Sequence, residues 1–200
     1  MANPIEYYFD FSSPYGYFGA TRISGLAAKH GRSVAWKPML LGAVFKHTGG
    51  APLPSVPLKG AYSLRDMGRV SRLWQVPFNM PEKFPIPTQA PARIVTWLQA
   101  HRPDKQEAAI LALYHAYFVE GRDISSPETA AEVVASLALD KDALLAATQD
   151  PQIKEQLKTE VEAAIAKGVF GSPFVIVDGE PFWGTDRFEQ VDRWLATGGF

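Results

Sequence analysis

The chain has 200 residues, of which 46% are hydrophobic and 20% charged, and its 20 Lys and Arg nearly balance its 21 Asp and Glu, giving a formal net charge of -1. This composition is typical of one globular domain, with or without a large insertion, and it excludes a disordered chain. The basic residues are scattered, so the sequence lacks the clustered positive face that a nucleic acid partner requires.

Cysteine is absent from the sequence, which excludes a disulfide framework, a thiolate zinc site and a cysteine nucleophile. Any sulfur chemistry must therefore come from another molecule. No segment approaches the roughly 20 consecutive apolar residues of a membrane span, and residues 1–6 place no basic flank ahead of an apolar stretch. We expect a cytoplasmic protein with no membrane partner.

The first part of the chain predicts a β-α-β unit. Residues 5–11 form a run rich in aromatic side chains that stops at a Ser-Ser-Pro sequence, as a strand entering a turn does. Ser13 is a preferred helix N-cap and Pro14 suits the first helical position, so a helix is expected from there to residues 30–31. Residues 33–38 predict a second strand, parallel to the first.

The middle of the chain predicts a helical block. Gly, Pro and small residues dominate residues 47–57, which predicts a loop and favours a domain boundary. Helical periodicity then covers the segments 59–76, 89–101, 104–120, 127–139 and 141–148. We therefore expect a helical insertion domain over residues 49–148 and a second domain formed by residues 1–48 together with residues 149–200.

The C-terminal part of the chain predicts the order α-β-β-α. A helix is expected over residues 151–167, between Asp150 as N-cap and Gly168 just beyond its end. Two short apolar runs, 173–177 and 181–183, flank an Asp-Gly pair and predict a β-hairpin. An amphipathic helix should follow the hairpin and close the chain.

This layout resembles the thioredoxin fold. The tetrapeptide Ser13-Pro14-Tyr15-Gly16 occupies the place of the C-x-x-C motif of thioredoxin-like oxidoreductases, with serine and glycine standing where the two cysteines would be. A thioredoxin-like fold with an all-helical insertion between its halves is similar to the DsbA-like branch. The resemblance therefore implies an α/β protein with a DsbA-like architecture.

Three segments carry a closer resemblance: residues 9–15 (FDFSSPY), 169–173 (VFGSP) and 183–187 (WGTDR). In this order, and at opposite ends of the chain, they resemble the 2-hydroxychromene-2-carboxylate isomerases. Those enzymes depend on glutathione and are related to the kappa-class glutathione transferases. The resemblance covers nearly the whole chain.

The resemblance implies a role for particular residues. Ser13 would be the catalytic residue whose hydroxyl faces the glutathione sulfur, and Ser172, before a cis proline, would pair its backbone with the cysteinyl unit. The γ-glutamyl end of glutathione would lie among Trp183, Gly184, Thr185 and Asp186. Side chains near the substrate would be Lys46, Lys59 and Phe84. In the kappa relatives an asparagine stands near glutathione at the position of Gly50, so that side-chain contact is lost here.

The function that the resemblance implies is interconversion of 2-hydroxychromene-2-carboxylate and trans-o-hydroxybenzylidenepyruvate, in aromatic-compound degradation, by a homodimer. A glutathione thiolate would add reversibly to the conjugated double bond and leave again unconsumed. A free thiol has a pKa near 8.5, so the site must favour the anion. A helix N-terminus and the Ser13 hydroxyl would together lower that pKa by about one to three units.

Other readings of the same residues stay open. Ser13 is a plain helix cap on spacing alone, Ser12 is its rival for the site, and Thr185 and Asp186 are ordinary N-cap residues. Lys46 and Lys59 could equally be ordinary solvated charges on the surface, since lysine is mostly exposed. The four histidines lack metal-ligand spacing, so no metal site is predicted. A kappa-like transferase that conjugates glutathione to electrophiles, or a non-catalytic DsbA-like peptide-binding module, are the alternative functions.

Overall fold

The computed structural model describes residues 3–200; Met1 and Ala2, which the expectations for the N-terminus and for the first domain include, lie outside the described residues. Its centre is a four-stranded sheet in the order β2-β1-β3-β4. The strands are β1 (Ile5–Phe9), β2 (Val34–Pro38), β3 (Phe174–Val177) and β4 (Glu180–Trp183). β1 pairs with β2 in parallel and with β3 antiparallel, and β3 and β4 form the antiparallel hairpin. The predicted α/β strand pairing is confirmed.

Helices surround the sheet. Their bounds are α1 (Pro14–Lys29), α2 (Leu41–Thr48), α3 (Lys59–Trp74), α4 (Gln89–His101), α5 (Pro103–Phe118), α6 (Pro127–Ala135), α7 (Lys141–Gln149), α8 (Pro151–Ala166) and α9 (Phe188–Thr197). Short 3-10 turns occur at Leu53–Ser55 and Thr185–Arg187. Among the described residues, no helix is both long enough and apolar enough to cross a bilayer.

Local signals placed most of these helices correctly. The Ser13 side chain accepts a hydrogen bond from the Gly16 amide at the start of α1, with proline at the first helical position. Asp150 caps α8 in the same way, through the Gln152 amide, and Gly168 lies beyond the helix end with φ of 84°. These contacts span only a few residues, which is why the sequence predicts them.

The helix α2 was not predicted, and residues 47–57 are not a simple loop. Leu40, at its N-cap, makes no side-chain cap, and the helix has only 8 residues. Its first amide, that of Leu41, instead donates to the Asp10 carboxylate at 2.7 Å, from 31 positions earlier in the chain. A cap supplied by a distant residue leaves no local pattern to find.

Two apolar cores lie on the two faces of the sheet. Alternate β1 residues Ile5, Tyr7 and Phe9 pack into the larger core, which contains α1, α5 and α9. Tyr8 points to the opposite face and belongs to a smaller core formed with α2 and α8. The end of β1 is therefore held by packing from both sides.

The predicted helical block, residues 49–148, holds α3 to α7 and packs against α1 through aromatic rings. The Tyr17 ring lies 5.6 Å from Tyr114 and 5.7 Å from Phe118, both on α5. These rings belong to one continuous core together with residues of the sheet. That residues 49–148 form a domain separate from residues 1–48 and 149–200 stays a prediction.

Two glycines in α1 give a matched test of this packing. A Cβ at Gly19 would lie 2.4 Å from the Tyr7 hydroxyl and 3.1 Å from Phe188, whereas one at Gly25 would meet no atom within 4 Å. We expect Gly19→Ala to lower the free energy of unfolding by about 1–3 kcal/mol through overpacking. Gly25→Ala should raise it by about 0.5–1 kcal/mol, since alanine favours a helix. Urea unfolding measures both, and equal effects would contradict the packing at Gly19.

Candidate functional site

Ser13 and Ser172 meet at the end of the sheet where β1 runs into α1. The Ser13 hydroxyl donates to the backbone carbonyl of Ser172 at 2.8 Å, although the two residues are 159 positions apart. Its oxygen also accepts the Gly16 amide at 3.0 Å, and Ser13 as a whole is only 5% exposed. The hydroxyl is therefore fully engaged: it caps the helix and holds the Ser172 segment.

The Ser172–Pro173 peptide bond is cis, as the family resemblance implies. The Ser172 hydroxyl accepts from the Asp10 amide at 3.0 Å, so the loop that follows β1 holds Ser172 at two points, through Asp10 and through Ser13. Ser172 is partly exposed, and its own amide has no hydrogen-bond acceptor among residues 3–200. An open N–H group therefore lies beside Ser13.

The first turn of α1 offers fewer free amides than a typical helix start. Pro14 has no N–H group, and the Gly16 amide is used by the Ser13 cap. Among the described residues, the Tyr15 amide is left without an acceptor. The helix therefore presents one free N–H group, at Tyr15, toward any anion bound at its start.

Tight packing holds the two serines at this distance. A Cβ at Gly16 would lie 2.6 Å from the Ser172 hydroxyl oxygen, 2.7 Å from the Tyr114 hydroxyl and 3.1 Å from the Ser13 Cβ. The Tyr114 hydroxyl donates to the Asp10 carbonyl at 2.9 Å from inside the core. Burial raises the pKa of Tyr114 well above its ordinary value, so this hydroxyl stays a neutral donor.

The segment 183–186 reaches the same end of the sheet. Gly184, at φ of 99°, donates its amide to the Pro173 carbonyl at 3.1 Å, and its positive φ suits glycine. Thr185 is buried, whereas Trp183 is 55% exposed and packs its indole on Gly171. Asp186 has an exposed carboxylate that pairs with Arg187 at 3.3 Å.

The N-cap reading of Thr185 and Asp186 is wrong. The cap residue of this 3-10 turn is Gly184, and neither side chain bonds a backbone amide within the described residues. The reason is that α9 starts only at Phe188, after the turn, so these two residues lie one turn ahead of the helix. Their side chains are therefore free of a capping role.

The three residues assigned to the substrate are placed differently from one another. Phe84 is partly buried against the larger core and lies two residues before Ile86, whose amide donates to the Ser12 hydroxyl at 3.2 Å. Ser12 is thus tied to the Phe84 loop. Lys46, in the last turn of α2, and Lys59, the first residue of α3, are both exposed and make no ion pair among residues 3–200.

Two cavities of the structure lie away from these serines. One, of about 420 Å³, lies between residues 79–83 and 119–123; the other, of about 980 Å³, lies between Trp97 and the α7–α8 junction. Within the described part of the chain, no cluster of His, Asp or Glu side chains has the geometry of a metal site. Neither cavity touches Ser13 or Ser172.

Sequence reasoning missed Asp10, which is 3% exposed. Its carboxylate accepts the Ser12 and Leu41 amides, each at 2.7 Å. Burial raises the pKa of the Asp10 carboxyl above its usual range, although these two amides and the Thr88 hydroxyl favour the charged form. An acid between two aromatic residues of an apolar run, Phe9 and Phe11, was the available signal.

The capping role of Ser13 can be measured against Ser126, which also precedes a proline and accepts a backbone amide, that of Thr129, at the start of α6. Each Ser→Ala change should cost about 0.5–2 kcal/mol of unfolding free energy through the lost cap. Ser126 also donates to the Glu128 carboxylate at 2.8 Å, but this bond is exposed and water can replace it. Ser13→Ala should cost about 0.5–1.5 kcal/mol more, because it also removes the partly buried bond to Ser172. Denaturant titration of both variants gives the comparison, and a smaller loss at Ser13 would argue against that bond.

Comparison with known proteins supports the architecture. A family model described as a DSBA-like thioredoxin domain matches residues 4–196. The chain is 28% identical over 205 residues to glutathione S-transferase kappa 2 of Caenorhabditis elegans, covering 96% of this chain and 91% of that protein. It is 28% identical over 198 residues to 2-hydroxychromene-2-carboxylate isomerase of Sphingobium xenophagum, covering 98% and 99%.

The same likeness holds for the backbone. A solved structure of a selenomethionine 2-hydroxychromene-2-carboxylate isomerase matches with a TM-score of 0.84 at 25% identity, covering 96% of this chain and 94% of that one. Its helices and sheet therefore follow the same path as those described above. The chain belongs to the family of DSBA-like thioredoxin domains.

Proposed function

We propose that this protein is a glutathione-dependent isomerase that interconverts 2-hydroxychromene-2-carboxylate and trans-o-hydroxybenzylidenepyruvate. The observation that carries the proposal is the meeting of the Ser13 hydroxyl, the unpaired Tyr15 amide and the unpaired Ser172 amide at one place. Its relatives include enzymes named for this isomerisation and for glutathione transfer. Activity as an enzyme of this family is thus the starting point, and the particular reaction is our proposal.

The residues at this place fit glutathione. The Ser172 amide would donate to the cysteinyl backbone carbonyl, with the cysteinyl unit as an added strand, since extended peptides bind to free sheet edges through main-chain hydrogen bonds. The γ-glutamyl end would lie against Trp183, Gly184 and Thr185, with the exposed Asp186 carboxylate beside its ammonium group. Ser13 and the Tyr15 amide would face the sulfur.

Ser13 must change its partner to act on sulfur. In the structure its proton is directed at the Ser172 carbonyl, a neutral hydrogen bond worth about 0.5–1.5 kcal/mol. A bond from the same hydroxyl to an anion is worth about 1.5–3 kcal/mol. The exchange therefore yields a net gain of about 1 kcal/mol, so rotation of the hydroxyl toward a bound anion is favourable.

The helix start adds to this gain. The α1 dipole and the free Tyr15 amide together contribute about 0.3–2 kcal/mol toward an anion at this position. Summed with the hydroxyl term, at 1.36 kcal/mol per pKa unit, the pKa of a bound thiol falls by about one to two units from 8.5. A fall of about two units, to about 6.5, makes the thiolate the main form at pH 7, and a fall of about one unit raises its share several-fold.

Glutathione, when bound, supplies the thiolate that adds reversibly to the conjugated double bond of the substrate. The chain supplies no thiol of its own, because it has no cysteine. A serine at residue 13 donates to sulfur without forming a disulfide with it, which leaves the sulfur free. Lys46 or Lys59 would stabilise the negative charge that develops on the pyruvyl side of the substrate, and Phe84 would border its ring.

A kappa-like glutathione transferase is the second candidate. The chain is as similar to a kappa transferase as to an isomerase, at 28% identity to each. The same serines and amides would lower the thiol pKa for attack on any electrophile. The third candidate, a non-catalytic module that binds peptides along Ser172 and the exposed Trp183, would not alter a thiol at all.

The remaining assignments accompany this proposal. We expect a cytoplasmic homodimer that acts on a small aromatic compound in aromatic-compound degradation. The division into residues 1–48 with 149–200, and residues 49–148, would place glutathione on the sheet side and the aromatic substrate toward the helical block.

Ultraviolet difference titration of bound glutathione tests the role of Ser13. We expect thiolate absorbance near pH 7 with the wild-type protein, and a rise of the bound thiol pKa by about one unit in Ser13→Ala, from loss of the hydroxyl donor. Ser126→Ala, which loses an equivalent cap on α6, should keep the wild-type titration. If Ser13→Ala titrates like the wild type, Ser13 is only a helix cap.

Counting free thiols distinguishes the two enzymatic candidates. With glutathione and trans-o-hydroxybenzylidenepyruvate, the isomerase should convert the substrate while the total free thiol stays constant. A transferase given an electrophile should consume one thiol per product formed. Substrate conversion with matching thiol loss would reject the isomerase, and no conversion of any electrophile together with no thiolate signal would favour the binding module.

A further inference from the structure

The Asp10 carboxylate joins two segments that carry different parts of the proposed site. One oxygen accepts the Ser12 amide and the other accepts the Leu41 amide, each at 2.7 Å. Ser12 precedes Ser13, and Leu41 is the first residue of α2, the helix that carries Lys46. One side chain therefore fixes the position of the Ser12–Ser13 loop, on the proposed glutathione side, relative to the start of α2, on the proposed substrate side.

The main chain of Asp10 contacts the same site. Its amide donates to the Ser172 hydroxyl at 3.0 Å, and its carbonyl accepts the Ser13 amide at 2.9 Å and the Tyr114 hydroxyl at 2.9 Å. A shift of Asp10 would therefore move both serines. The 2.8 Å bond between Ser13 and Ser172 depends on this residue from two directions.

The charge of Asp10 is costly to keep. The residue is 3% exposed, and no Lys, Arg or His pairs with it in residues 3–200. Because burial raises its pKa, any stability that Asp10 contributes is full below its unfolded pKa and is lost as the pH rises through the raised pKa. Buried titratable groups with perturbed pKa values cluster at functional sites, and Asp10 lies beside the two serines of the proposed site.

Asparagine cannot make the same contacts. Both oxygens of Asp10 face N–H donors, so the amide nitrogen of an asparagine would point a donor at a donor. Replacement therefore breaks at least one of the two bonds while preserving the size of the side chain. This makes Asp10→Asn a local probe of the geometry.

We propose that Asp10 is a positioning residue, whose two carboxylate bonds set the Ser12–Ser13 loop and the start of α2 in one fixed arrangement for catalysis. This inference rests on the proposed function. A plain cap for α2 would require only the Leu41 bond, whereas the residue also bonds the Ser12 amide and, through its main chain, both serines. A displacement of about 1 Å in such a site costs up to about 100-fold in rate.

The first test compares Asp10→Asn with Asp140→Asn. Asp140 also accepts two backbone amides, those of Asp142 and Ala143, but at the start of α7. Without glutathione, at least one of the Ser12 and Leu41 amides should exchange its hydrogen about tenfold faster or more in Asp10→Asn, because an asparagine has one acceptor oxygen for the two donors. With glutathione, the bound thiol pKa should rise by about half a unit or more. Asp140→Asn should change neither.

The second test removes only the α2 bond. Leu41 stands at the first helical position, where proline is tolerated, and Leu40 before it is extended with ψ of 101°. Leu41→Pro deletes the N–H group, and Leu41→Ala, which keeps it, controls for the lost side chain. We expect Leu41→Pro to raise the substrate KM about threefold or more above that of Leu41→Ala while the bound thiol pKa stays the same.

The outcomes separate the two proposals. If the wild-type protein shows no bound thiolate, the proposed function fails, while the exchange rates of the Ser12 and Leu41 amides still report on their bonds to Asp10. If thiolate forms but Asp10→Asn titrates like Asp140→Asn, or Leu41→Pro has the KM of Leu41→Ala, Asp10 only caps α2 and the inference is overturned. If Asp10→Asn fails to fold, the comparison of the substrate KM between Leu41→Pro and Leu41→Ala tests the inference instead.

Discussion

The hydrogen bond from the Ser13 hydroxyl to the Ser172 carbonyl, at 2.8 Å, brings together two loops that are 159 residues apart in the chain. It sets how the two serines face each other, and Asp10 supports it from the loop after β1. It places the start of α1 beside the Ser172 backbone, and in the proposed function a ligand sulfur would compete with the Ser172 carbonyl for the Ser13 proton. Because that competition exchanges a neutral bond for one to an anion, the balance favours the anion.

The surroundings of this bond explain how a small surface site is kept rigid. Gly16 leaves space for the Ser172 and Tyr114 hydroxyls, which approach the place of its missing Cβ within 2.6 and 2.7 Å. Asp10 then connects the serines to α2 through its buried carboxylate. The close packing around Gly16 and the hydrogen bonds of Asp10 hold the two serines in one arrangement. Such preorganisation is what a site that stabilises charge requires.

The chemistry follows from what the chain lacks as much as from what it holds. The sequence has no cysteine and hence no thiol of its own at the start of α1, and in the proposed function the thiol comes from glutathione. The Tyr15 amide has no acceptor among residues 3–200, and in that proposal it would face the sulfur together with the Ser13 hydroxyl. One free amide is fewer than a helix start usually offers, which increases the relative importance of the hydroxyl.

The sequence alone determined the features that arise within a few residues: the Ser13 cap followed by Pro14, the helix between Asp150 and Gly168, and the hairpin at its Asp-Gly turn. Only the tertiary structure decided that α2 forms, that Asp10 is buried with no cation partner among residues 3–200, and that the Ser13 proton is already engaged. The physical reason is the separation along the chain between the groups that bond. Caps and turns are satisfied by neighbouring backbone groups, whereas a bond across 31 or 159 residues exists only after the core has packed the sheet, α1 and α5 together.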